Sequence, residues 1–318
     1  MPPPTLPPAA TSARRGSGPQ RTLLIVRTSA PFKSERAREQ YLARYELRAK
    51  LWPVPSEERV VPTSFGQTFV RVSGPAQGEP VLMLPGIGST GLTLGPLVRG
   101  LSGPYRTYVI DNIHDVGRSI ASKHVTSADD FTTWFDEVRR GLGLERVNIL
   151  GLSYGGWICA QYALRFPEVV RRVVLLAPAG TTAHVSFAFI SRAILTLIPR
   201  RRFMRNFMGW VAPGLRAQDA AAFEEMVEDG YLATQSLERK KMVPPLPLTD
   251  AQWARYQSRT LFLAGTKEVV FPAQHAITRL ARVAPHVEAE LFEGVGHDLI
   301  VVRSDEVNRR VLSFLSAE

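Results

Sequence analysis

From residue 81 onward the chain alternates between two hydrophobic patterns. Short, nearly continuous apolar runs at 81–84, 106–110, 146–150, 172–177, 259–264 and 287–292 have the length and texture of buried strands. Between them, at 92–101, 129–142, 154–166, 272–284 and 303–316, apolar positions recur with the spacing of one helical face. Strands alternating with helices predict parallel βαβ units with right-handed crossovers, and a mostly parallel central sheet covered by helices on both faces. Upstream, Tyr41, Leu42 and Tyr45 predict a helix from Ser34 to Leu51, stopped by Pro53 and Pro55. The stretches "ERVVPTS" and "QTFVRVSG" flank Phe65-Gly66 and predict a hairpin. The alternation breaks once. Residues 181–250 contain no clear strand and are cut by Pro199, Pro213, Pro244, Pro245 and Pro247 into short helical pieces. They read as a helical cap inserted between two strand–helix units.

This pattern divides the 318 residues into a core at 32–180 and 251–318, a cap at 181–250, and an arm at 1–31. The arm begins "MPPPTLPPAATSARRGSGPQ", which has too few large apolar groups to offset the entropy of ordering, so it is expected to be disordered. The net charge of +10 is uneven: residues 1–50 hold ten Lys/Arg and three Asp/Glu, leaving +3 for the rest. A basic arm on a near-neutral body argues against nucleic-acid binding by the body. The single cysteine, Cys159, excludes a disulfide framework and any thiol cluster for a metal, and its place in an apolar helical run marks it as a packed core thiol. No segment reaches the ~20 apolar residues that span a bilayer, and "TLLIV" is shorter than a secretory h-region of ~7–15 residues. A cytoplasmic protein is expected. Weak membrane-surface contact through the basic arm or the cap stays open, and the sequence is silent on oligomeric state.

Two glycine motifs compete for the chemistry. Gly86-Ile87-Gly88-Ser89-Thr90-Gly91 follows a strand with the spacing of a dinucleotide-binding turn, and Asp111 lies where a ribose-binding acid belongs. Gly151-Leu152-Ser153-Tyr154-Gly155 is G-x-S-x-G. Chance alone supplies that pentapeptide in roughly one chain of this composition in nine, so its context has to carry the assignment. A strand precedes it and a helix follows, as a nucleophile elbow requires, so that the serine Oγ projects above the sheet. Of the six histidines, His297 sits in a loop between the last strand and the last helix, where it can reach over the sheet edge. Glu268 lies in the loop after strand 259–264 and supplies an acid to orient that base. No Asp or Glu closely follows strand 172–177, and Asp298 is adjacent in sequence to the base and poorly placed to orient it. The order Ser, acid, His is that of an α/β-hydrolase. On this reading Gly86 and Gly88 bring backbone close to a developing oxyanion. The donors are then the N–H groups of Ile87 and Tyr154. The dinucleotide reading explains 86–111 but leaves 151–156, 268 and 297 as coincidences.

From about Phe32 to the end the sequence resembles the α/β-hydrolase superfamily, in particular its bacterial carboxylesterase-like members. The segments that carry the resemblance are "YELRAKLWPVPSEERVVPTSFGQTFVRVSG", "GLSYGGWICAQYALRFPEVVRRVVLLAPAG", "GTKEVV" and "GVGHDLI". The resemblance implies Ser153 as nucleophile, Glu268 as acid and His297 as base, the set reached from the residues. Two segments depart from the family pattern: the oxyanion turn begins Pro85-Gly86 where His-Gly is usual, and the common D-x-x-G-x-G-x-S segment is altered to "DNIHDVGRS". The expectation is an esterase acting through an acyl-enzyme on a small-molecule ester, with no metal or organic cofactor. A thioesterase, C–C bond hydrolase or acyltransferase on the same triad, and a non-catalytic ligand-binding protein of this fold, are the alternatives. In the cap, Phe203, Met204, Phe207, Met208 and Val211 share one helical face, with Arg201, Arg202 and Arg205 opposite. Phe203, Phe207 and Met208 are therefore expected to turn inward and line the substrate pocket. Contact of this basic stretch with a membrane surface is the alternative. His114 and Asp115 read as a solvated turn, with a place facing the site as the alternative.

Overall fold

Alternation of side chains within each strand builds the two halves of the core. The computed structural model describes Met1, residues 32–238 and residues 242–317; the arm predicted at 1–31 lies, apart from Met1, outside the described residues. Among the described residues one sheet contains β1 (Ser56–Thr63), β2 (Gly66–Ser73), β3 (Glu79–Leu84), β4 (Tyr105–Ile110), β5 (Ile120–Ala121), β6 (Val147–Leu152), β7 (Val170–Leu176), β8 (Arg259–Gly265) and β9 (Glu288–Phe292). Its order is β1-β2-β4-β3-β6-β7-β8-β9, with β5 pairing β2. The helices are α1 (Glu35–Ala49), α2 (Gly95–Leu101), α3 (Ala128–Gly141), α4 (Tyr154–Arg165), α5 (Phe187–Leu195), α6 (Arg201–Val211), α7 (Pro213–Gln218), α8 (Ala220–Ser236), α9 (Asp250–Ala254), α10 (Ala273–Val283), α11 (Leu299–Val302) and α12 (Ser304–Ser316).

Odd and even positions of the central strands serve opposite faces. Leu82 and Leu84, Val173 and Leu175, and Phe262 and Ala264 pack with α3, α4 and α10. Val81 and Met83, Val174 and Leu176, and Leu261 and Leu263 pack with α2, α11 and α12. Burial on both faces explains why these strands read as unbroken apolar runs. Cys159 is fully buried in the first of these layers, and burial pushes its thiol up, away from the reactive thiolate.

The first strands depart from the parallel pattern. β1, β2 and β4 pair antiparallel, so the hairpin extends the main sheet instead of standing beside it. Its tight turn is Ser64-Phe65, one residue earlier than the Phe65-Gly66 read from sequence. Gly66 (φ +133°) opens β2, where a Cβ would lie 2.1 Å from the Ile120 carbonyl oxygen of β5. That two-residue strand is too short to leave a periodic signal.

Residues between β7 and β8 form α5 to α9. Within them α6, α7 and α8 pack around Met204, Leu215, Phe223 and Val227. The basic side of α6 is exposed at Arg201, Arg202 and Arg205, and two of these cations pair across the surface with α8, Arg201 with Glu224 and Glu228 and Arg205 with Glu224. α1 belongs with this layer. Arg44 pairs with Asp229 at 2.6 Å and Arg48 with the same carboxylate at 3.2 Å, Lys33 Nζ donates to the Gln235 carbonyl at 2.6 Å, and Phe32 bridges Leu237. The segment returning to β8 is tied to the core by Tyr154 Oη and Trp157 Nε1, which donate to the carbonyls of Val243 and Leu246.

Candidate active site

The parallel strands end on one edge, and the loops there carry the chemistry-bearing residues. Ser153 lies between β6 and α4 with φ 52° and ψ −115°. A positive φ at a non-glycine residue costs of order 1–3 kcal/mol and persists only where its surroundings impose it. Here they do: Ser153 N–H donates to the Leu176 carbonyl at 2.8 Å, and its own carbonyl accepts from Ala179 N–H at 3.2 Å. The glycines of the motif are demanded by contact. A Cβ on Gly155 would sit 2.4 Å from the Leu84 carbonyl oxygen, and one on Gly151 2.3 Å from that of Gly155. Tyr154 is the first residue of α4, where backbone N–H groups have no intrahelical acceptor.

The turn after β3 lies against Ser153: a Cβ on Gly86 would meet Ser153 Cβ at 3.3 Å and Oγ at 3.8 Å. Two carboxylates hold this turn. Asp115 Oδ2 accepts from Gly88 N–H at 2.6 Å, and Asp111 accepts from Gly91 N–H at 2.8 Å and Arg118 N–H at 2.9 Å. Asp111 is buried, which raises its carboxyl above the usual range against those backbone bonds. Both its oxygens are occupied from within the fold, so the acid that matched the dinucleotide pattern is a brace for the glycine turn. The Asp115 bond to Gly88 corrects the reading of His114 and Asp115 as a solvated turn. Asp115 Oδ1 also accepts from Val116 N–H at 2.8 Å, and the neighbouring His114 ring meets Phe131 edge-on at 6.0 Å.

Glu268 and His297 come together across the loops after β8 and β9. His297 Nδ1 and Glu268 Oε2 are 2.8 Å apart, with the Glu268 side chain 0% exposed. Glu268 Oε1 accepts from the N–H groups of Val269 and Val270, both at 2.8 Å, which fixes the carboxylate plane. The two loops interlock through glycine: a Cβ on Gly265 would fall 1.9 Å from the Val295 carbonyl oxygen. Burial alone would lower the His297 pKa. The charge and hydrogen bond of Glu268, with a further contribution from Asp298, outweigh it and hold the imidazole above its ordinary value. In the neutral tautomer that donates Nδ1–H to Glu268, Nε2 is the acceptor nitrogen. Asp298 itself is turned away: its Oδ2 accepts from Leu215 N–H at 2.8 Å, fastening α7 to the loop that carries His297.

Ser153, His297, Gly86, Ile87 and Gly88 line one cavity of about 830 Å³. Phe207 and Met208 line it as expected from their helical face. Phe203 does not. It sits one turn nearer the start of α6, where the Arg202 guanidinium stacks over its ring at 5.0 Å. Further parts of the wall come from Val211, Leu215 and Met226 of the cap and from Tyr41, Tyr45 and Trp52. No local signal marked α1 as part of the site, because its apolar stripe reads the same whether it meets a core or a cavity. Among the described residues, no group of three or more His, Cys, Asp or Glu is placed to hold a metal ion.

This sheet order, with a strained serine elbow and a Glu–His pair on one edge, defines a class that sequence comparison shares. The model of the alpha/beta hydrolase fold matches residues 79–304, and the chain belongs to that family. It is similar to carboxylesterase YbfK of Bacillus subtilis, with 30% identity over 92% of this chain and 98% of that one. The crystal structure of that carboxylesterase superposes with a TM-score of 0.80 at 28% identity, covering 88% of this chain and 99% of the other. Naproxen esterase (carboxylesterase NP) from the same organism superposes with a TM-score of 0.83 at 27% identity, covering 89% and 100%.

Proposed function

We propose that the protein is a serine carboxylesterase that works through an acyl-enzyme. His297 Nε2 takes the proton of Ser153 Oγ–H as Oγ attacks the ester carbonyl carbon. The N–H groups of Ile87 and Tyr154 receive the tetrahedral oxyanion. Collapse expels the alcohol, which His297 protonates. Water then attacks the acyl-enzyme, giving its proton to His297, and the carboxylic acid leaves as Ser153 recovers its hydrogen. Glu268 holds the tautomer that this cycle requires. Gly86, Gly88, Phe207 and Met208 form part of the substrate wall, and the cap at 181–250 selects the ester. No metal or organic cofactor enters the cycle.

The observation that carries this reading is the Glu268–His297 bond at 2.8 Å, with His297 lining the same cavity as a serine held at φ 52°. Relatives named carboxylesterase over nearly the whole chain support it. A cavity of about 830 Å³ with a mostly apolar lining suits a medium-sized organic ester. The test is Ser153→Ala. It should retain the fold by circular dichroism, lose turnover of p-nitrophenyl esters, and lose labelling by a fluorophosphonate probe. Ester hydrolysis by Ser153→Ala at the wild-type rate would rule out the mechanism. Wild-type labelling at Ser153 with no turnover of any ester, but turnover of thioesters, would keep the triad and change the substrate.

A further inference from the structure

The cap presents an apolar surface that the esterase reading does not use. α5 has no buried side chain. Phe187 is 83% and Ile194 58% exposed, and Ile190, Leu195, Leu197 and Ile198 are exposed along the same stretch. Single exposed apolar residues are ordinary, whereas six large ones within residues 187–198 make a patch of the kind that marks an interaction surface. The helix is two-sided. Phe189 lines the cavity and packs on Phe207, with ring centroids 5.4 Å apart, while the six point elsewhere.

Charge identifies the occupant. Residues 181–218 hold six arginines and no aspartate or glutamate. Arg201 and Arg205 are paired with α8, and Arg192 stacks on Trp210 at 4.4 Å. Arg200 and Arg202 are exposed directly after the apolar run, Arg202 with its guanidinium over the neighbouring Phe203 ring. An apolar helix face followed by outward cations is complementary to an interface of acyl chains beneath anionic headgroups. Self-association through this face would bring its arginines toward those of a second copy, with no acidic residue on the stretch to balance them. We propose that residues 187–202 dock on an anionic lipid surface, with Phe187, Ile190 and Ile194 inserted at the headgroup boundary and Arg200 and Arg202 on lipid phosphates. The contact is peripheral, since no helix among the described residues is long and apolar enough to cross a membrane.

The experiment is co-sedimentation of the full chain with vesicles of phosphatidylcholine alone or mixed with phosphatidylglycerol. The wild type should bind the anionic vesicles, bind the neutral ones at least about tenfold more weakly, and be released by high salt. Phe187→Ser with Ile194→Ser should weaken binding by at least about tenfold. Arg200→Glu with Arg202→Glu should remove the preference for anionic lipid. These side chains lie outside the cavity, so both variants should hydrolyse a soluble short-chain ester at the wild-type rate, which reports an intact fold. Vesicle binding unchanged in both variants would overturn the proposal and move any contact to the basic arm. No wild-type binding to either vesicle would also overturn it. A concentration-dependent dimer dissolved by Phe187→Ser would then assign the face to a second copy.

Discussion

Replacing Glu268 by glutamine isolates the tautomer argument, because the structure leaves the amide only two orientations. In one, the amide oxygen keeps the bonds from Val269 and Val270 N–H, and its NH₂ group faces His297 Nδ1. The imidazole must then accept at Nδ1 and carry its proton on Nε2, the nitrogen that should take the serine proton. In the other, the NH₂ group opposes two backbone N–H donors in a side-chain site that is 0% exposed, leaving buried donors unpaired at ~1–3 kcal/mol each. The first orientation is favoured, and it holds the wrong tautomer. The equivalent change in a serine protease lowers kcat by ~10⁴, or ~5.4 kcal/mol at 1.36 kcal/mol per factor of ten. Solvent cannot reach the Glu268 side chain to substitute for the lost acceptor, so Glu268→Gln is expected near that full loss, with KM changed little. The pH profile gives an independent check. The base works neutral, so activity falls as pH drops through the His297 pKa, which Glu268 holds above about 6.5. Without the carboxylate charge, burial dominates and the acid limb of the residual kcat/KM should move to lower pH. Steady-state kinetics from pH 5 to 9 on a p-nitrophenyl ester measures both effects. Wild-type kcat in Glu268→Gln, or an unmoved acid limb, would refute the assignment. Asp298→Asn with the activity loss instead would transfer the role to Asp298.

Three further outcomes are expected. Asp115→Ala removes the acceptor that holds Gly88 N–H and should lower kcat by ~10-fold, less than the ~10²–10³ for losing an oxyanion donor outright; Asp115→Asn should restore most of it, and equal activity in all three proteins would show that the turn needs no brace. Gly155→Ala forces a Cβ to within 2.4 Å of backbone that cannot yield without moving β3, so a loss of ~1–3 kcal/mol in denaturant unfolding is expected, and an unchanged midpoint would contradict the contact. Phe207→Ala enlarges the cavity and should shift preference toward longer ester chains by ~1–3 kcal/mol per methylene accommodated, with fluorophosphonate labelling of Ser153 nearly unchanged; a flat chain-length profile would take Phe207 out of the pocket.

Much of the sheet was legible because its strands are buried on both faces, which makes each an apolar run bounded by turn residues. β5 was not, since two residues have no period, and neither was the antiparallel joining of β2 to β4, because pairing partners leave no mark on either strand alone. In the candidate site, Ser153, Glu268 and His297 stood out by their places after β6, β8 and β9. Asp115 reads as part of a solvated turn because an acid in a polar turn looks the same whether it faces water or a backbone N–H. Phe203 was assigned to the pocket because helical periodicity fixes a face and not how far along the helix a cavity extends.

The sequence by itself determined the order of strands and helices, the residues at the strand ends, and the glycines without which the serine turn cannot close. These are local matters: period, turn chemistry and steric room are set by neighbours within a few positions. Only the tertiary structure decided that Glu268 and His297, 29 residues apart, share a hydrogen bond, that Asp111 braces a turn instead of meeting a ribose, and that α1 walls the cavity through Arg44 and Asp229, 185 residues apart. It also paired Arg201 and Arg205 of α6 with α8 and left α5 with an exposed apolar face. Such pairings depend on how layers pack, and the free energy that selects them is gained only when distant segments meet and exclude water.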